Sequence, residues 1–212
     1  MMNKKIILVG GGGHCKSVLD TLLLTNQYSE IGVVDLKEFL NKKVLSASVI
    51  GTDKDLPQLY KGGYKHAFVS LGSIGKTSRR INLYNTLEDI GFTIPNIIDP
   101  TAIISNDVQL GNGIFIGKKA VINAGATIHN GAIINTASII EHDCIVGEFT
   151  HIAPGTVMCG NVQVGRETHI GANSVIKQQI KIGSHTMIGM GSIVLKDIGD
   201  SKEAFGSPCK EV

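Results

Sequence analysis

The second half of the chain carries an apolar residue at every sixth position. From Ile104 the series runs through Leu110, Ile116, Ile122, Ile128, Ile134, Ile140, Val146, Ile152, Met158, Val164, Ile170, Ile176, Ile182, Ile188 and Val194, and every member is aliphatic. Four residues after each stands a small or β-branched side chain, from Val108, Ile114 and Ala120 through to Thr186, Ser192 and Ile198. Glycine directly follows the aliphatic position at Gly111, Gly117, Gly147, Gly165, Gly171, Gly183 and Gly189. A chain turning a corner there needs either a positive φ or room where a Cβ would sit. Period six matches neither the 3.6 of a helix nor the alternation of a simple strand. Short strands joined by tight corners, three hexads to a triangular coil, satisfy it, which predicts a parallel β-helix of hexapeptide repeats. About five coils of eighteen residues fit between 104 and 194, stacked at the usual strand spacing of about 4.8 Å.

Ahead of the repeat the pattern alternates between strands and helices. KKIILVG reads as a strand, four glycines (Gly10 to Gly13) follow, and a helix is expected from His14 to about Thr25. EIGVVD is a second strand ending at Asp35, and HAFVSLG over 66–72 a third. TSRRINLYNTLEDIG reads as a helix, with a last strand near FTIPNII. Such alternation implies a parallel sheet with helices packed on it. The chain is therefore expected to hold a Rossmann-like α/β domain over 1–100 and the β-helix over 101–212, with Pro95 and Pro100 marking the passage.

Composition narrows the function. The 212 residues are 42% hydrophobic and 18% charged, with a net charge of +2 and no stripe of Lys and Arg, so nucleic acid is not an expected partner. Twenty-six glycines and no Trp suit a lattice of small and aliphatic side chains. The four cysteines form no CxxC pair, which favours a reduced, cytoplasmic protein over a disulfide framework or a structural zinc site. The opening apolar run stops too soon for a signal sequence, and no stretch reaches membrane-spanning length.

Candidate chemistry lies in both halves. A glycine loop between a strand and a helix can cradle a phosphate on exposed amides, although Cys15 stands where a dinucleotide fingerprint has its third glycine. Asp35 and Gly72-Ser73 fall on the same carboxyl edge, where open α/β sheets bind ligands. In the repeat, His142 sits between Glu141 and Asp143, and a histidine held by a carboxylate has the tautomer a general base needs. Stacking at eighteen residues puts Ala124 and Gly160 on either side of His142, which leaves a shallow notch. Asp143 stacks with Gly125 and Asn161, whose amide is placed to fix the carboxylate. His151 and His169 also stack, which raises the alternative of a metal-dependent hydratase on the same repeat, with His142 or His129 of a second subunit as third zinc ligand. Their neighbours in that column are Ile133 and Met187, which are not zinc ligands, so no metal is expected. Lys177, Lys181 and Lys196 are either partners for coenzyme A phosphates or a solvated face. Cys144 and Cys159 read as core fillers.

The segments ILVGGGGHCKSVLD, INTASIIEHDCIVGEFTHIAPGTVMCGNVQVG and FGSPCK resemble the bacterial sugar O- and N-acyltransferases of the sialic acid O-acetyltransferase type. The resemblance spans almost the whole chain. It implies a left-handed β-helix, a homotrimer, and acetyl-CoA as acyl donor in a groove between two β-helices. It also implies acetylation of the amino group of a UDP-linked 4-amino-4,6-dideoxy sugar for surface glycans, with O-acetylation of sialic acid or a related hydroxyl as the alternative. The nucleotide would lie on Gly12, Gly13 and His14 with Asp35 nearby. His142 matches the catalytic histidine and Asp143 the acid beside it. His151 matches a residue near the acetyl group, and the main chain at Ala172 and Met190 matches the pantetheine path. Where relatives acting on UDP-amino-sugars often carry two acids, Leu36 follows Asp35 here.

Overall fold

The computed structural model describes residues 4–212, so the first three residues of the opening segment lie outside it. Two compact units result, one of residues up to Gly72 together with Ser78–Ile97, the other of Ser73–Thr77 with Ile98–Val212.

The first unit is built on β1 (Lys5–Val9), in which Ile6, Ile7, Leu8 and Val9 are all buried. An unbroken apolar run is what a central parallel strand covered on both faces requires. It pairs in parallel with β2 (Glu30–Val34) on one side and β5 (His66–Val69) on the other. The full order is β3-β4-β2-β1-β5, with the antiparallel hairpin of β3 (Lys43–Val44) and β4 (Ala47–Gly51) at one edge. Helix α1 (Gly13–Thr25) buries Cys15, Val18, Leu19 and Leu22, the i, i+3, i+4, i+7 stripe of an amphipathic helix. It ends on left-handed Asn26, whose N–H donates to the Leu22 carbonyl at 3.1 Å. The expected strands and helices appear here, with α3 at Ser78–Ile90. The β3–β4 hairpin and α2 (Leu56–Lys61) were not foreseen: β3 and α2 are too short to display a period, and β4 buries Ala47, Val49 and Gly51 but turns Ile50 outward, so it has no unbroken apolar run. The last expected strand shrinks to Ile97–Ile98, with a single parallel bridge from Thr93 to His66.

The second unit is the left-handed β-helix. Two-residue strands recur every six residues and stack in parallel into three sheets of six, five and eight strands, the last of which also takes in a longer antiparallel pair at its end. The second residue of each strand is the sixth-position aliphatic, and from Ile116 to Val194 all of these are buried. The position four residues later is buried too, from Ile114 to Ile198. Hydroxyls at that second position are paired with main chain: Thr150, Thr156, Thr168 and Ser174 donate to the next coil's Gly165, Gly171, Gly183 and Gly189 carbonyls at 2.7–3.1 Å, whereas Ser138 and Ser192 donate within their own coil to Asn135 and Gly189. Buried polar atoms are thereby paired rather than stranded. Cys144 fills the same kind of position, and burial pushes its thiol pKa up to about 11.

The corner glycines answer one of the two needs anticipated for them. They do not take a positive φ; a methyl at Gly147 or Gly165 would instead come within 2.5 Å of the next coil's main chain. The left-handed residue is the third after each buried aliphatic from Ile116 to Ile188, as at Asp143 (φ 60°), Asn161 (φ 56°) and Asn173 (φ 56°). Asn, Asp and Gly tolerate that region best. At the far end the hairpin Glu203–Gly206 with Cys209–Glu211 pairs onto the strand Met187–Ile188 and completes the eight-stranded sheet, capping the last coil.

The outward faces differ. One sheet presents Ile103, Val121, Ile139, Val157, Val175 and Ile193 in a single in-register column, with Ile103 67% exposed and Val175 and Ile193 each 39%. Another presents Gln109, Thr127, Ile145, Gln163 and Lys181. Every eighteenth residue sets this column, a signal present in the sequence alongside the period of six.

Candidate active site

In the first unit Gly12 caps α1 and Gly13 opens it, with no acid in the first turn. A methyl at either glycine would meet no atom within 4 Å, and neither has a positive φ. Glycine here leaves bare main chain in front of a helix N-terminus, which attracts anions. Asp35 is committed locally: Oδ2 accepts from the Gly11 N–H at 2.8 Å and Oδ1 from the Leu36 N–H at 2.7 Å. The carboxylate braces the glycine turn against the end of β2. Gly72 lies against His14, a methyl on it falling 3.4 Å from the His14 Cβ.

A cleft of about 700 Å³ opens at this edge, lined by Gly11, Gly12 and Asp35 and also by Lys16, Phe39, Lys42, Lys43 and Arg79. Four cations face one carboxylate, and the Lys42 ammonium sits 4.9 Å from the centre of the Phe39 ring. Sequence reading found the glycines and missed these side chains, because they come from four separate elements and form no motif.

In the second unit His142 and Asp143 occupy a corner. The His142 Nδ1 and Asp143 Oδ2 are 2.8 Å apart, and an ionised carboxylate can only accept, so Nδ1 carries the proton and Nε2 is left with its lone pair. The ring lies over Gly160, where a methyl would come within 2.5 Å of Nε2, and the carboxylate lies over Gly125 in the same way. The glycines expected from coil stacking therefore lie in contact with both side chains. Asn161 contributes through its main chain, its N–H donating to the His142 carbonyl at 2.8 Å; its side chain does not bond Asp143. Both side chains are more than 60% exposed.

His151 lies half a coil away, in the column Ile133–His151–His169–Met187. Its Nδ1 is 2.9 Å from the Ser73 carbonyl and its Nε2 is 3.1 Å from Asn135 Nδ2. Asn135 Oδ1 takes the Thr136 N–H at 2.8 Å, which turns the amide's NH₂ toward the imidazole. His151 is thus neutral with the proton on Nδ1. The His169 ring packs edge-on to it at 4.9 Å, and its buried Nδ1 has no hydrogen-bond partner. Among the described residues no three His, Cys, Asp or Glu side chains converge as metal ligands do.

Burial holds the His169 pKa below the ordinary histidine value. The unfolded chain then takes up a proton first, so stability is complete above about pH 6.5 and declines as the pH falls through it. Denaturant unfolding at pH 7.5 and 5.5 should show lower stability at the acid value, and His169→Gln should shrink the difference.

Ala172 and Met190 stack eighteen residues apart, with the Gly191 N–H donating to the Ala172 carbonyl at 2.8 Å, and Met190 is 81% exposed. The three lysines part company: Lys177 and Lys196 lie on later coils of the His142 edge, whereas Lys181 lines a shallow groove of about 500 Å³ on another face.

Comparison with known proteins agrees with both halves. The PglD N-terminal domain matches residues 5–87, and the bacterial transferase hexapeptide, six repeats, matches residues 143–178. PerB from Caulobacter crescentus, solved with CoA and GDP-perosamine, is 32% identical over 100% of this chain and 98% of its own, with a TM-score of 0.92. The acetyltransferase domain of PglB from Neisseria gonorrhoeae FA1090, solved with acetyl coenzyme A, is 32% identical over 99% of this chain and 100% of its own, with a TM-score of 0.93. This chain belongs to the hexapeptide-repeat sugar acyltransferases. WeeI from Acinetobacter baumannii AYE, at 19% identity over 99% of this chain and 100% of its own, shares the fold with a TM-score of 0.78. Two further structures of the Caulobacter perosamine N-acetyltransferase carry Asn or Ala in place of one histidine. Among the described residues of this acyltransferase no helix is long and apolar enough to cross a membrane.

Proposed function

We propose that the protein transfers the acetyl group of acetyl-CoA to the amino group of a nucleotide-linked 4-amino-4,6-dideoxy sugar. The observation that carries this is the His142–Asp143 pair, whose Nδ1 is committed to the carboxylate so that Nε2 keeps its lone pair, on an exposed ring lying over Gly160. His142 Nε2 takes the proton from the amine as its nitrogen attacks the thioester carbonyl. The tetrahedral intermediate then collapses, the C–S bond breaks, and the thiolate of CoA recovers the proton. Asp143 orients the ring and stabilises its cationic form. Main-chain N–H groups beside the acyl group stabilise the oxyanion, a contribution usually worth about 3–4 kcal/mol. Ala172 and Met190 offer main chain to the pantetheine arm. PerB, bound to both CoA and GDP-perosamine, supports the substrate class.

The diphosphate belongs on Gly12, Gly13 and His14 with the cleft cations, and Phe39 offers a stacking face. The uridine expectation rests on resemblance, since Asp35 is already engaged by two amides. Lys42→Glu with Lys43→Glu should raise KM for the nucleotide sugar at least about tenfold and leave KM for acetyl-CoA unchanged, because charge-assisted phosphate contacts are lost. Thiol release from acetyl-CoA tests the function itself: UDP- and GDP-linked 4-amino sugars are offered beside their 4-hydroxy counterparts and sialic acid. Release with an amine alone supports N-acetylation; release with sialic acid alone overturns it.

The assembly we infer is a homotrimer. A column of six aliphatic side chains on one flat face is suited to bury against a second copy, and Glu141, His142 and Asp143 follow directly after its Ile139–Ile140 strand. Packing there would cover the exposed His142 edge. The four free cysteines suit a reducing cytoplasm.

A further inference from the structure

We propose that Leu36, Phe39 and Leu45 form an apolar clamp for the nucleobase, and that the protein reads the faces of that base rather than its edge. This rests on the reading of the cleft at Gly12 as the sugar-nucleotide site, and adds that nucleoside diphosphates of different base are accepted there. Soluble proteins bury large apolar side chains or scatter them singly over the surface. Here three line one cleft while still exposed, Leu36 by 47%, Phe39 by 37% and Leu45 by 52%. The same cleft holds Lys16, Lys42, Lys43 and Arg79. The Lys42 ammonium lies 4.9 Å from the centre of the Phe39 ring, so the cationic and apolar parts meet. A ligand complementary to both carries an anionic group beside a flat ring, which is the chemistry of a nucleoside diphosphate.

The main chain holds the clamp in one shape. Lys37–Phe39 forms a 3₁₀ turn, in which the Phe39 N–H donates to the Leu36 carbonyl at 2.9 Å. The Asn41 N–H donates to the Val49 carbonyl at 3.0 Å and the Val49 N–H to the Lys42 carbonyl at 2.8 Å, which ties this turn to β4. Leu45 stands at the tip of the β3–β4 hairpin, just past the paired Val44 and Ala47, with φ 50°. That region favours Gly, Asn or Asp, and a bulky side chain held there is an outlier. An exposed leucine gains little packing to offset such strain, which gathers where ligands are gripped. Asp35 is the one acid lining the cleft, and its two oxygens already accept from the Gly11 and Leu36 amides. Donors on a base edge therefore meet no uncommitted carboxylate there. Stacking tolerates any base, because every base has a π-face.

Calorimetric titration of the protein with UDP, dTDP, GDP, ADP and inorganic pyrophosphate tests this without acetyl-CoA or a sugar amine. The nucleotides should bind wild type with affinities within about thirtyfold of one another, as face recognition requires. Phe39→Ala and Leu45→Gly should each weaken every nucleotide about tenfold, the scale of one lost base contact, and leave pyrophosphate binding unchanged. Phe39→Tyr keeps the ring and should stay near wild type. Leu45→Gly should also unfold at a temperature no lower than wild type, because glycine takes φ 50° without strain. A purely structural leucine would not give lost affinity with stability retained. A wider spread among the bases overturns the proposal, as does nucleotide binding that neither variant weakens. Loss of pyrophosphate together with the nucleotides assigns the effect to the phosphate cations and overturns it too. In each of these cases the cleft remains a nucleotide site. Wild type that binds none of the nucleotides overturns that reading and the proposal together.

Discussion

His142→Ala should lower kcat for acetyl transfer by roughly 10²–10⁴-fold, the range for a lost general base, with little change in KM for either substrate. The geometry makes the expectation specific. Nδ1 is committed to Asp143 at 2.8 Å, which leaves Nε2 as the only basic site on the ring. Asp143→Asn should cost less, because an amide can still orient the imidazole while failing to stabilise its cation. The asparagine can also offer its NH₂ to Nδ1 and select the wrong tautomer, so a loss within tenfold of the alanine variant's is expected. Folding should survive both changes, since the two side chains are more than 60% exposed and pack over glycines. A folded His142→Ala protein with near-normal turnover would remove the histidine from the chemistry.

Val157→Asp should dissociate the homotrimer we propose. Val157 stands in the middle of the aliphatic column, between Ile139 and Val175, and a carboxylate there would be buried against a second copy with no partner. Burying an unpaired charge costs more than the interface gains from one valine, by about 3 kcal/mol or more even after local relaxation. Sedimentation at micromolar concentration should give monomer for the variant and trimer for the wild type. Turnover should fall below about a tenth, because the acetyl-CoA groove implied by the resemblance lies between two β-helices and is lost in a monomer. The β-helix itself should remain folded, as its core lies on the opposite face of the strand, at Met158. A variant that stays trimeric would move the interface to another face.

Much of this was legible in the amino-acid sequence because the β-helix repeats its requirements. Sixteen aliphatic residues and their partners four positions later are each dictated by the same inward-facing environment, so local pattern and final burial coincide from Ile116 to Val194. The glycines against His142 and Asp143 followed from the same arithmetic, since residues eighteen apart must stack. The column from Ile103 to Ile193 was equally available and needed only the period of eighteen. What could not be read came from contacts between distant segments. Lys16, Lys42, Lys43 and Arg79 meet in one cleft without sharing a spacing. Asp35 turns back to Gly11 across twenty-four residues, and His151 reaches Ser73 across seventy-eight. The β3–β4 hairpin was missed for a different reason: Lys43–Val44 has only two positions, and in Ala47–Gly51 Ser48 interrupts the apolar run while Ile50 faces outward.

The central claim is that a sugar amine meets His142 Nε2, and a crystal structure of the protein with CoA and a nucleotide-linked 4-amino-4,6-dideoxy sugar tests it most directly. The account predicts the amino nitrogen within about 2.6–3.2 Å of Nε2, the reach of a general base. The diphosphate should be held among Gly12, Gly13, Lys42 and Lys43. A sugar hydroxyl in the amine's place, or a nucleotide bound away from the glycine turn, would contradict it.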